Sequence, residues 1–150
     1  MHTRPAHPAD AQAIVALAVE AVSLDPLPVR VDRAAMACKA RELISSPRDF
    51  IHVAEHSGEI VACVAAEAGP GWWHERLTAS VLMFYTRRPG AGVPLLREFK
   101  RWLVARPAIR YASFFLEPNA DPRIGLLLAR MGFDRQSAVH TWVRGTGERR

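Results

Sequence analysis

The stretch TRRPGAGVPLL, residues 86–96, places two arginines, two prolines and two glycines directly ahead of an apolar helical pattern. It follows LTASVLMFYT, a β-rich run, so the chain passes from a strand through a glycine turn into a helix N-terminus. Such a junction leaves backbone N–H groups unpaired at the positive end of a helix dipole, and its natural guest is a phosphate. Gly90 and Gly92 let the backbone close on an anion and adopt positive φ, while Arg87 and Arg88 bring charge and hydrogen bonds near it. Pro89 and Pro94 have no N–H to offer, and Pro94 is tolerated in a first helical turn. A Walker loop needs Gly-Lys-Ser or Thr, which is missing, and Leu95 stands where a dinucleotide fingerprint needs its third glycine. What remains is Arg87-x-x-Gly90-x-Gly92. A plain glycine turn with neighbouring arginines is the competing reading.

Downstream, PLLREFKRWLV sets Leu95, Leu96, Phe99, Trp102 and Leu103 on one helical face, the strongest periodic signal in the chain. IRYASFFL then reads as a strand. Asp121 as N-cap, Pro122 at the first helical position and Gly132 past the end bracket a short helix with Ile124, Leu127, Leu128 and Met131 along one side. SAVHTWV, residues 137–143, is expected as a last strand. Upstream, HTRPAH is a short extended opening, and Asp10 is the expected cap of a helix presenting Ile14, Leu17, Ala18 and Ala21. After the proline-broken DPLPVR, Asp32 caps a second helix through about Ile44, with Met36, Ala40, Leu43 and Ile44 inward. FIHVAEH and EIVACVAAEA flank Ser57-Gly58 as an antiparallel hairpin, and GPGWWHER is expected as a loop. The order β, α, α, β, β, β, α, β, α, β specifies an α/β fold with a mixed sheet flanked by helices.

The chain has 150 residues, 49% of them hydrophobic and 23% charged, which suits one globular domain with its own core. Cys38 and Cys63 lie far apart inside apolar segments and are expected as buried free thiols, which fits a reducing compartment. The opening MHTRPAHPAD has no apolar signal core and no run is long enough to span a membrane, so the expected location is the cytoplasm. The net charge of +5 attracts polyanions such as nucleic acid but equally suits a small anionic nucleotide ligand.

With its turn and its element order, the sequence resembles the GNAT (GCN5-related) N-acetyltransferases. Their coenzyme motif, Gln or Arg, two residues, Gly, one residue, Gly or Ala, lies between the fourth strand and third helix, as RRPGAGVPLL does here. EPNADPRIGLLLARMGF is similar to the family's Asn after the fifth strand and its helix ending in Gly-Phe, through Asn119, Gly132 and Phe133. The resemblance implies a single GNAT-like acyltransferase domain over residues 1–144, followed by a flexible basic tail, 145–150. It implies acetyl-CoA as co-substrate, its pyrophosphate on the N–H groups of Gly90, Ala91, Gly92 and Val93 beside Arg87 and Arg88. Asn119 is expected among the cofactor-binding residues, and the pantetheine amides would pair with the backbone of Leu82 and Phe84. The reaction implied is direct attack of an amine, on a small molecule or a protein, on the thioester. A homodimer is common in such proteins, although no residue here requires it.

One departure stands out: many members carry a Tyr four residues before the Gly of Gly-Phe as the thiolate's acid, and Leu128 stands there. Another residue or water must then supply the proton, or the protein binds coenzyme without catalysing transfer. No carboxylate lies between Ala79 and Thr86, where a general base often sits, so the candidates are Glu67, Glu75 and Glu117, each equally readable as a solvated charge. Tyr85 and Tyr111 are candidate acids or packed aromatics. Trp72, Trp73 and His74 are candidate acceptor-binding residues, and His140 in the expected last strand is another, with rim packing or a structural or solvent role as the alternative. His52 and His56, about 13 Å apart on one strand face, are too distant to share a metal.

Overall fold

A computed structural model describes residues 1–144; the tail expected at 145–150 lies outside the described residues. The elements are β1 (His2–Pro5), a 3-10 turn (Pro8–Asp10), α1 (Ala11–Ser23), α2 (Arg33–Ser45), β2 (Phe50–His56), β3 (Glu59–Gly71), β4 (His74–Thr86), α3 (Gly92–Val104), β5 (Ile109–Ser113) and α4 (Pro122–Arg130). The five strands lie in sequence order, antiparallel from β1 to β4, with β4 and β5 parallel. A parallel pair needs a crossover, and α3 supplies it.

Strand alternation divides the core into two layers. Phe50, Ala62, Val64, Ala66, Ala79 and Val81 turn one way, onto Leu95, Phe99 and Trp102 of α3, with Phe114 and Phe133 packed against them. Ile51, Val53, Cys63 and Ala65 turn the other way, onto Ile14 and Leu17 of α1 and Ala40 and Leu43 of α2. The helical faces read from the sequence are thus the ones turned to the core, although Ala18, Ala21, Met36, Ile44, Leu103, Ile124, Leu127 and Met131 are only half-buried. Ser57 (φ 52°) and Gly58 (φ 80°) form the β2–β3 turn with the two positive φ angles that a tight hairpin requires. Gly132 (φ 94°) ends α4, where the Phe133 N–H returns to the Leu128 carbonyl at 3.0 Å.

Four expectations are corrected. GPGWWHER is not a loop: β3 and β4 run through it and only Trp72-Trp73 make the turn, because Pro70 and Gly71 still pair with Leu77 and His74. SAVHTWV forms no strand, so β5 is the last strand among the described residues. Cys38 is exposed while Cys63 is buried, since Cys38 falls on the outer face of α2. Burial pushes the Cys63 thiol up to about 12.

Asp10 does not cap α1. It closes the preceding 3-10 turn, accepting the His7 N–H at 2.7 Å, and takes both terminal nitrogens of Arg4 at 2.7 and 3.1 Å. Arg4 also reaches Glu55 at 3.1 Å, so one guanidinium ties β1 and β2 to the start of α1. Arg4's donated hydrogen bonds hold the Asp10 carboxyl below its ordinary range. The folded state therefore binds this proton less tightly than the unfolded chain does, and the stability it contributes is complete above the usual aspartate range and lost below it. Asp10→Asn is expected to cost about 2 kcal/mol at neutral pH. The difference from wild type, measured by urea unfolding, should shrink as the pH is lowered through the aspartate range.

Candidate functional site

The strand β4 has a different neighbour situation along its two halves. Towards β3 it is paired over its length, but towards β5 pairing covers only Leu77–Ile109, Thr78–Tyr111, Ala79–Ala112 and Ser80–Ser113. At that level the register with β3 also shifts: Ala66 faces Val81 and Ala65 faces Met83, which leaves Leu82 without a partner as a β-bulge. A bulge bends its strand and sharpens the local twist. Residues 81–86 thus run on along a cleft with one backbone edge unpaired by any described strand. Leu82 and Phe84, the expected pantetheine partners, both lie in this segment.

The cleft leads into the turn before α3. Gly90 has φ 82°, with nothing within 4 Å of a Cβ there, so backbone conformation alone calls for glycine. Gly92 is a matter of space, since a Cβ would stand 2.5 Å from Cζ of Phe84. The Thr86 hydroxyl braces the turn, donating to the Arg88 carbonyl at 2.6 Å and accepting the Arg88 N–H at 3.2 Å. Ala91 and Val93 spend their N–H groups on the carbonyls of Arg88 and Gly90, at 3.1 and 3.3 Å. The N–H groups of Gly90 and Gly92 donate to no acceptor among the described residues. Two free donors at the N-terminus of a 13-residue helix, with open space beside Gly90, fit a phosphate group.

Arg87 departs from its expected part. Its guanidinium is held by Glu20 at 2.6–3.1 Å and by Glu59 at 3.0 Å, and its N–H donates to the Val61 carbonyl at 2.8 Å. It fastens the turn to the end of α1 and to the β2–β3 hairpin. Arg88 is exposed and its guanidinium has no partner among the described residues, so it is the cation free to meet an anion. Asn119 is likewise engaged, donating Nδ2 to the Leu24 carbonyl at 3.0 Å and tying the chain beyond β5 to the connection after α1.

The other candidates scatter. Tyr85 packs on the α1 side, where burial and the nearby Glu20 carboxylate raise its phenol above the ordinary value and make it a poorer proton donor. Glu117 is exposed, four residues past the end of β5. Trp72 and Trp73, 96% and 67% exposed, cap the far end of β4, about 30 Å of strand from the bulge. His74 sits with them, edge-on to Trp73 and with Nε2 3.3 Å from the Tyr111 hydroxyl. This hairpin tip is remote from the cleft, so it is not an acceptor wall beside the bulge. Glu75 is exposed on the same tip and His140 is exposed beyond α4. Leu128 is 5% exposed and apolar, and no proton donor stands at its position. Among the described residues no group of three or more His, Cys, Asp or Glu side chains is placed to hold a metal, and no helix is long and apolar enough to cross a membrane.

Glu67 is the candidate that the fold brings to the cleft. It faces Ser80, which in turn faces Ser113, so the three align across β3, β4 and β5 at the last paired level before the strands part. They share the face turned to α1 and α2, because their neighbours Ala66, Ala68, Ala79, Val81 and Ala112 belong to the opposite layer. Glu67 accepts from Lys39 of α2 at 2.7 Å, and Lys39 also meets Glu42 at 3.2 Å. Lys39 borders an apolar pocket of about 170 Å³ between α1, α2 and the sheet, walled on the cleft side by Leu82 and Met83. Ser80, Ser113 and Lys39 were missed by sequence reasoning. Alternation places Ser80 opposite Ala79 and Val81 in facing, but the strand it meets is set by register.

No family model and no curated relative matches the sequence. Solved structures do match. A predicted acetyltransferase from Clostridium acetobutylicum, solved with acetyl-CoA, superposes with a TM-score of 0.72 at 14% identity over 94% of each chain. An aminoglycoside 6'-N-acetyltransferase from Acinetobacter haemolyticus gives 0.68 at 16% identity, over 96% of this chain and 98% of the other. An aminoglycoside acetyltransferase from an uncultured soil metagenomic sample, in complex with sisomicin, gives 0.66 at 14% identity, over 94% and 93%. What is shared is the fold, and it is the GNAT acetyltransferase fold that the turn and the element order lead one to expect.

The two glycines are separable by substitution. Gly90→Ala is expected to cost about 1–2 kcal/mol through its left-handed backbone alone. Gly92→Ala must displace the Phe84 ring and is expected to cost about 1–3 kcal/mol. Urea unfolding checks both, and near-UV circular dichroism should change only in the second, where an aromatic ring moves.

Proposed function

We propose that the protein is an acyl-CoA-dependent N-acyltransferase that moves the acetyl group of acetyl-CoA to an amine. The observation that carries this reading is the continuous path from the bulge at Leu82, along the unpaired edge of residues 81–86, to the free N–H groups of Gly90 and Gly92. A peptide-like pantetheine arm can add to that edge as a strand would, and the pyrophosphate then falls at the positive end of α3. Arg88, rather than Arg87, supplies the mobile charge.

In this reading the thioester lies near the bulge, where β4 parts from β5. The neutral amine attacks the carbonyl carbon, a backbone N–H of β4 stabilises the developing oxyanion, and the C–S bond breaks to release CoA. The amine's proton must leave and the thiolate must gain one. We assign the first to Glu67, which faces Ser80 across β3 and β4. Leu128 can supply no proton to the thiolate, so that proton comes from water or from the hydroxyl of Ser80 or Ser113. Leu128 also favours a second reading, a coenzyme-binding module that transfers nothing.

Calorimetric titration with acetyl-CoA, followed by a thiol-release assay with amines, tests both. The expected result is saturable acetyl-CoA binding that Gly92→Ala and Arg88→Gln weaken, with thiol released only when amine is present. Binding without release under any amine supports the second reading. No binding by the wild type removes both.

A further inference from the structure

We propose that the acceptor is a small primary amine carrying one apolar group, an aryl ring or a branched alkyl chain, a short spacer away from the nitrogen. This rests on the acetyl-transfer reading above and names the substrate class of the same site. Three observations on one face of the sheet carry it.

The first is the pocket. Its walls are Ile14, Met36, Leu43, Ile51, Leu82 and Met83 together with smaller apolar residues, and its single charged member is Lys39. Its volume, about 170 Å³, is comparable with the apolar cavities of about 150 Å³ that accept benzene. A ring or a branched chain fits it, and no carboxylate lines it. The acceptor's side group is therefore apolar.

The second is the polar row. Glu67, Ser80 and Ser113 align across three strands, each about 5 Å from the next, so that Glu67 and Ser113 lie about 10 Å apart on either side of Ser80. One carboxylate with two hydroxyls suits one ammonium group, while the nearby Glu42 keeps Lys39 at 3.2 Å. Lys39 occupies Glu67 at 2.7 Å, and an incoming ammonium exchanges with it as the like charge. Ser80 is two residues from Leu82 along β4, about 6–7 Å. That distance sets the spacer between the nitrogen and the apolar group at one or two carbons.

The third is the rim. Ala18 and Met36, which border the pocket, lead towards the connection between α1 and α2. There Leu24, Leu27, Val29 and Val31 are exposed, and across from Leu24, held by the Asn119 hydrogen bond, the chain beyond β5 exposes Phe115 and Leu116. Asp25, Arg30 and Asp32 stand exposed among them, so the entrance offers apolar surface to a side group without being free of charge. Sisomicin, bound by a structural neighbour of the same fold, is the contrasting kind of acceptor, whose several ammonium groups require several carboxylates.

The test uses the full chain with acetyl-CoA and measures thiol release for 2-phenylethylamine, isoamylamine, spermidine and kanamycin, with acetyl-CoA binding followed separately by calorimetry. The expected result is kcat/KM at least about tenfold higher for the two apolar amines than for the two polycations. Ala18→Leu, at the pocket border, should raise KM for 2-phenylethylamine while acetyl-CoA binding stays at the wild-type level. Glu67→Gln should lower kcat/KM for both apolar amines and shift its pH profile, which a change of packing alone would not do. Equal or better transfer to the polycations, or indifference to Ala18→Leu, overturns the apolar-amine assignment and leaves acetyl transfer standing. Acetyl-CoA binding with none of the four amines acetylated overturns it as well. Absence of acetyl-CoA binding removes the transfer reading itself.

Discussion

The structure turns on the separation of β4 from β5 after Ser80. A strand in the middle of a sheet ordinarily has both edges satisfied, and an edge left open must find water, a covering element or a guest. Here β3 holds one edge of β4 on both sides of the bulge, so the opening on the other side is a property of the sheet and not of a frayed end. The bulge at Leu82 makes the divergence local. It also rotates Leu82 onto the same face as Met83, where both wall the apolar pocket. One extra residue in one strand thus opens the cleft and shapes the cavity beside it.

Around this opening, charged and polar groups are mostly committed to holding the frame. Arg87 binds the glycine turn to Glu20 and Glu59, Asn119 binds the chain past β5 to the end of α1, and Arg4 binds the first strand to Asp10 and Glu55. The pairs of Arg87 with Glu20 and Glu59 and of Arg4 with Glu55 are partly exposed, so each is worth little as a bare ion pair. Their value is geometric. They hold these connections at fixed positions, and leave Arg88 and the two glycine N–H groups as the unspent donors of the turn.

The two faces of β4 divide the labour. Towards α3, Phe84 presses on Gly92 and meets Phe114 edge-on, which fixes how closely the turn approaches the strand. Towards α1 and α2, the row of Glu67, Ser80 and Ser113 borders an otherwise apolar surface. A polar group in such surroundings is effective because few competing waters and charges surround it.

Much of this was legible in the chain itself. Helical faces such as Leu95, Leu96, Phe99 and Trp102, the glycines at 90 and 132, and the Ser57-Gly58 turn were determined locally, because periodicity and backbone conformation depend on neighbours a few residues away. So was the junction of strand, turn and helix that specifies the fold. SAVHTWV shows the limit: a strand-like composition makes no strand unless an edge accepts it, and β propensity is chiefly a matter of context. The fate of each functional side chain was decided by tertiary structure. Arg87 looks like a phosphate ligand until it meets a carboxylate 67 residues away. Glu67 looks like any surface charge until register sets it in line with Ser80 and Ser113. Sequence determines which groups are present and which way a local element faces. Only packing between distant segments decides which donors are already spent and which polar groups share a face, because those partners are chosen by three-dimensional proximity.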